Sequence, residues 1–159
     1  MSQDETLNWL VKHNISENNM SANYELKYSN KIPIDSGAKN YLAKEIASIY
    51  TNSDILLYIN EFGIFPSSEN MYLFDGYRKS IGINNSIYEK PTQIINQNEG
   101  IELYCTLGMI LYFYMGCIII PINNQDEIIK ISHDEFLNIY VRYGNDNKSI
   151  INKVNQIMK

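Results

Sequence analysis

Polar and apolar positions along the chain alternate between two periods, one near 3.6 and one of 2, and the places where they change mark the elements. Ser2 followed by Glu5 has the spacing of a capping box, so a first helix is predicted from Ser2 to about His13. The polar stretch NISENNMSAN reads as a loop, and YELKYS, Tyr24 to Ser29, alternates as a half-buried strand with Glu25 and Lys27 facing water. Pro33 and Gly37 bracket a turn. From Ala38 to Tyr50 the residues Leu42, Ile46 and Ile49 recur at helical spacing. Ile55 to Ile59 is a continuous apolar run bounded by Asp54 and Asn60, the pattern of a strand covered on both faces and the expected centre of a sheet.

Further on, Ser68 to Ser80 is predicted as a helix with Leu73, Phe74, Tyr77 and Ile81 on one side, followed by a loop from Gly82 to Pro91 and a short strand, TQII. Asn96 to Met115 reads as a long core helix, with Asn96 and Glu99 as its cap pair. CIIIPI and EIIKIS are short strands joined by NNQD, hence a β-hairpin whose first strand lies at an edge or ends at Pro121. Ser132 and Glu135 repeat the capping-box spacing before HDEFLNIYVRY, which is read as a helix stopped at Gly144 and Asn145, and KSIINKVNQIMK closes the chain as another. The expected fold is α+β (mixed α/β): one domain over residues 1–159, a small mixed sheet including a β-hairpin, and about five flanking helices.

Leu103 to Ile120 carries no charge over a length that could span a membrane. Its flanks are acidic, and Gly116 followed by β-branched residues indicates a buried helix giving way to a strand, so no membrane partner is expected. The N-terminus has acids where a signal peptide needs bases, and a cytoplasmic location is expected. Cys105 and Cys117 lie in apolar runs and are read as free thiols. A composition of 45% hydrophobic and 19% charged residues is that of a folding chain. The net charge of -5 argues against a nucleic-acid ligand and favours a basic partner. The wealth of Ile, Asn, Lys and Tyr reads as the bias of an AT-rich bacterial coding sequence.

The chemistry in the sequence is sparse. The glycines form neither a phosphate loop nor a dinucleotide fingerprint, the two histidines fall in no triad signature, and no cofactor or metal is implied. SHDE, Ser132 to Glu135, sets His133 beside two acids; on a helix His133 and Asp134 would point about 100° apart, and capping explains Ser132 and Glu135. In GIFPSSEN, Pro66, Ser67 and Glu69 are accounted for as a strand end and a helix start. That leaves Glu61, Phe62 and Phe65 at the end of a buried strand, where α/β sheets place ligand crevices, and Asp75 and Arg78 three apart on the next helix.

The block EFGIFPSSENMYLFDGYRKSIG, the segment Glu89 to Pro91, the aromatic helix Leu103 to Tyr114 and the SHDEF of Ser132 to Phe136 carry a resemblance over about residues 30 to 142. The chain resembles an uncharacterised family of small bacterial immunity-like proteins with a (W/F)GI(W/F)PSSEN block; Phe62 and Phe65 stand where tryptophans are expected, which keeps an aromatic plug and loses the indole donor. The resemblance implies a non-catalytic binding protein that neutralises a cognate, basic protein toxin in interbacterial competition. The contact candidates are Glu61, Phe65, Glu69, Asp75, Tyr77, Arg78 and Asp134. Two other readings stand beside it: a small enzyme using Glu61, Glu69 or His133 as acid or base, and a homodimer or other assembly built on a surface patch of aromatics.

Overall fold

The computed structural model describes residues 1–16, 23–62, 69–145 and 149–157, without the side chains of residues 69, 70 and 149. In chain order the elements are α1 (Gln3–Lys12), β1 (Tyr24–Lys31), α2 (Ser36–Ile49), β2 (Ile55–Glu61), α3 (Glu69–Ser80), β3 (Thr92–Ile95), α4 (Gly100–Tyr112), β4 (Gly116–Pro121), β5 (Glu127–Ile131), β6 (Phe136–Arg142) and α5 (Ser149–Ile157). The six strands form one sheet in the order β1-β6-β5-β4-β2-β3. Every pairing is antiparallel, so the expected α+β class with a hairpin and five helices is observed, on a sheet without parallel neighbours.

Both faces of the sheet are covered at its middle, and that explains the long apolar runs. On β2, Ile55, Leu57 and Ile59 join the core under α2, α4 and α5, while Leu56 and Tyr58 join a second core with Leu10 and Ile15 at the end of α1. β4 divides in the same way, with Cys117 and Ile119 on one side and Ile118 and Ile120 on the other. A strand wet on one face alternates; one dry on both cannot. β2 itself is second from the edge rather than central, next to the four-residue β3. β1 forms the opposite edge, and Glu25, Lys27 and Lys31 give it the charge that discourages pairing with another chain.

Local signals were reliable where local chemistry decides. In α1 the Ser2 hydroxyl accepts from the Glu5 N–H at 3.2 Å while the Glu5 carboxylate accepts from the Ser2 N–H at 2.8 Å. The α2 helix begins two residues before the expected start, capped by Asp35, which accepts from the Ala38 N–H at 2.9 Å. The α4 helix is shorter than Asn96 to Met115: Glu99 spends its carboxylate on the Asn96 N–H at 2.8 Å, in a turn before the helix. Among the described residues no helix is long and apolar enough to cross a membrane.

The helix expected from Ser132 is the clearest correction. Residues 132–135 are a tight turn and 136–142 are β6, paired to β5 on one side and β1 on the other. The Ser132 hydroxyl accepts from the Asp134 N–H at 3.1 Å, two residues on, and Glu135 takes a left-handed φ of 64°, which no helix start can use. Leu137, Ile139 and Val141 are buried and the residues between them are half-exposed, a period of 2 that places the strand between its neighbours. On α3 Leu73 is exposed, and the buried positions are Met71, Phe74 and Arg78.

Candidate functional site

The register of β2 against β4 shifts between Ile59 and Glu61, leaving Asn60 as an extra residue and re-aiming Glu61 at the strand's end. Glu61 lies opposite Gly116, the first residue of β4, and its side chain folds over that glycine. A Cβ on Gly116 would lie 2.7 Å from the Glu61 Cβ and 2.8 Å from its carboxyl carbon, so a side chain at 116 and the observed Glu61 exclude one another. From this position Oε2 of Glu61 accepts from the His133 backbone N–H and from His133 Nδ1, both at 2.9 Å, and Oε1 faces Lys130 Nζ at 3.7 Å. His133 Nε2 in turn lies 3.3 Å from Asp134 Oδ1. One imidazole therefore links a strand-end carboxylate to an exposed carboxylate in the β5–β6 turn.

Burial pushes the Glu61 carboxyl up, and the His133 N–H, the imidazole and Lys130 together outweigh it, holding the group below its ordinary range. His133 is raised, first by its hydrogen bond to Glu61 and then by the charges of Glu61 and Asp134, which together outweigh desolvation and the charge of Lys130. Both shifts favour the charged pair.

Beside this link lies a second unusual group. Lys39, in the first turns of α2, is only 4% exposed. Its ammonium sits 3.8 Å over the Tyr114 ring and 3.9 Å from Glu135 Oε1. Tyr114 and Glu135 are both non-glycine residues with left-handed φ, 56° and 64°, and Lys39 bridges their side chains. Lys39 also lines a groove of 630 Å³ between α2 and α4, with Tyr77, Tyr104, Met109 and Tyr112 among its walls.

The sequence candidates separate accordingly. Glu61 and Asp134 are brought together through His133. Tyr77 lies in the groove, its hydroxyl donating to the Glu102 carbonyl at 3.2 Å or sharing a proton with Thr106 Oγ1 at 3.1 Å. Arg78 is not on a contact surface: it is 2% exposed, donates to the carbonyls of Asn85 and Lys90, and pairs with Asp75 at 3.6 Å. Asp75 also accepts from the Ile87 N–H at 3.0 Å, so this pair braces the loop after α3. Phe65, with Pro66 and Ser67, lies outside the described residues, as does the side chain of Glu69. Lys39, Tyr112 and Tyr114 had no signal in the sequence beyond their type, and Gly116 was legible only as a helix-to-strand break. No protein-family model, no curated protein and no solved structure matches the chain.

Two outcomes follow from the Glu61 geometry. Gly116→Ala is expected to cost about 1–3 kcal/mol of unfolding free energy in urea titration, the usual penalty of a side chain forced into filled space. The stability difference between the native chain and Glu61→Gln is expected to peak between about pH 4.3 and 6.5. Above that window the raised His133 loses its proton and its contribution fades; below it the depressed Glu61 gains one and the contribution fades again. A difference independent of pH from 3 to 9 would show that the pair does not couple to folding.

Proposed function

We propose that the chain is an immunity-type binding protein that acts in the bacterial cytoplasm and neutralises a cognate toxin in interbacterial competition by direct protein–protein contact. The observation that carries this reading is the corner at the β5–β6 turn. There Glu61 fixes His133, which approaches the exposed Asp134, beside Tyr114 and Phe136, which are 47% and 42% exposed. Carboxylates and aromatic rings held before a partner arrives lose little freedom on binding, and their rigidity favours affinity. The chain's net charge of -5 would speed encounter with a basic toxin.

The acid–base enzyme is the second reading, because Glu61 orients the His133 ring as a carboxylate orients a catalytic imidazole. The ring's other nitrogen, which would have to reach a substrate proton, already faces Asp134 at 3.3 Å. The groove of 630 Å³ is lined by Tyr77, and neither Glu61 nor His133 belongs to its walls. Both points favour binding over turnover.

The partner to test is the product of the gene adjacent to this one, as the toxin candidate. Expressed in a bacterial host it is expected to arrest growth, co-expression of this chain to restore growth, and light scattering on the purified mixture to find a stoichiometric complex. Arrest that persists with this chain present, and no complex, would overturn the proposal.

A further inference from the structure

The binding reading leaves open which surface meets the partner, and the groove between α2 and α4 is open to solvent beside the acidic corner. Resting on that reading, we infer that the groove and the aromatic end next to it form the docking surface, and that they receive an apolar segment of the partner flanked by Lys or Arg.

The groove exists because small residues occupy its base. Gly37 in α2 and Gly108 in α4 both line it, and a Cβ on Gly108 would meet nothing closer than Asn40 Oδ1 at 4.0 Å. The two helices are held at this spacing by Tyr104, whose hydroxyl donates to Asn40 Oδ1 at 2.8 Å. Rings and sulfur side chains make up much of the remaining wall, with Ser36 and Lys39 among them, and the volume of 630 Å³ falls in the range of sites that accept a group of several side chains' size. Tyr112, 60% exposed, stands at the end of α4, and Tyr114 follows it past the helix.

Lys39 connects the groove to the corner. It lines the groove, carries the Tyr114 ring over its ammonium and reaches Glu135. The Glu135 carbonyl accepts from the Ile32 N–H at 2.7 Å, which brings the chain before α2, with Ile34 at 74% exposed, against the turn that carries Phe136. Ile34, Tyr112, Tyr114 and Phe136 are thus exposed on segments that Lys39, Glu135 and Ile32 bring together, and exposed apolar side chains of neighbouring segments are of a kind that marks interaction sites.

Charge decides the occupant. Among the described residues the one cation lining the groove is Lys39, which is buried and engaged with Glu135 and Tyr114, so these residues offer an anionic ligand no free counter-charge. The next turn presents Asp134, its side chain 72% exposed, whereas Glu61 is taken up by His133 and Lys130. An apolar segment seated in the groove would set a flanking base against Asp134, and the aromatic walls suit Arg as well as aliphatic side chains. A second copy of this acidic chain brings the wrong charge.

Calorimetric titration of the toxin candidate, the adjacent gene's product, with this chain tests the surface. Gly108→Trp, which fills the groove, and Tyr112→Ala, at an exposed position that cannot upset the core, are each expected to weaken Kd at least about ten-fold. Val11→Ala, on the exposed face of α1, is the control and should leave Kd within about two-fold, with thermal melts checking that all variants fold. Asp134→Asn is expected to slow association and reduce its salt dependence. If the native chain binds and both groove variants bind equally well, the surface is wrong while the immunity reading stands. If the native chain does not bind that toxin, the immunity reading fails, and with it the basic occupant. A dimer of the isolated chain that Gly108→Trp dissociates, seen by sedimentation velocity, would put a second copy in the groove and also overturn the inference.

Discussion

The Glu61 carboxylate joins three places far apart in the chain: the end of β2, the first residue of β4 and the turn between β5 and β6. The turn could not take its present form on local terms alone, because Glu135 sits in a left-handed conformation that costs a non-glycine residue free energy. The cost is offset by contacts from outside the turn. Glu61 receives the His133 N–H and imidazole, and Lys39 receives Glu135. Gly116 is what leaves room for the first of these, since any side chain there would occupy the space that Glu61 uses.

The same corner lies at the ends of β2 and β4, next to Ile59 and Cys117. The sheet is dry on both faces along β2 and β4, which makes these strands a stiff platform, and the acid–aromatic surface is mounted at its rim rather than on a free loop. Lys39 ties this rim to the α2–α4 groove, since it lines the groove and reaches Glu135 in the turn. The arrangement separates buried braces from exposed groups: Arg78 and Asp75 brace the loop after α3 from inside, while Asp134, Tyr112, Tyr114 and Phe136 are exposed.

Much of the fold was legible because its signals are local. The Ser2–Glu5 cap, the apolar run of β2 and the hairpin between β4 and β5 each announce themselves within ten residues or so of sequence. β6 did not. Its Ser132 and Glu135 have cap spacing, and Phe136, Ile139, Tyr140 and Tyr143 also recur at helical intervals; only the slot between β1 and β5 makes Leu137, Ile139 and Val141 the buried set. The site was legible by half. Glu61 stood out as an acid at a strand end and Asp134 as one at the start of an expected helix, but the imidazole that joins them lies 72 residues from Glu61, and no spacing rule reaches that far. Arg78 and Lys39 run against the rule that long cations stay wet, so their burial could be found only from their partners.

The most direct test of this account is a double-mutant cycle on stability with Glu61→Gln, His133→Gln and the double variant, measured by urea unfolding at pH 6 and pH 8.5. A coupling of about 0.5–1.5 kcal/mol at pH 6 that shrinks at pH 8.5 is predicted, since the pair is partly exposed and holds its full charge only while the imidazole is protonated. Additive effects at both pH values, within about 0.3 kcal/mol, would contradict the claim that this link holds the corner together.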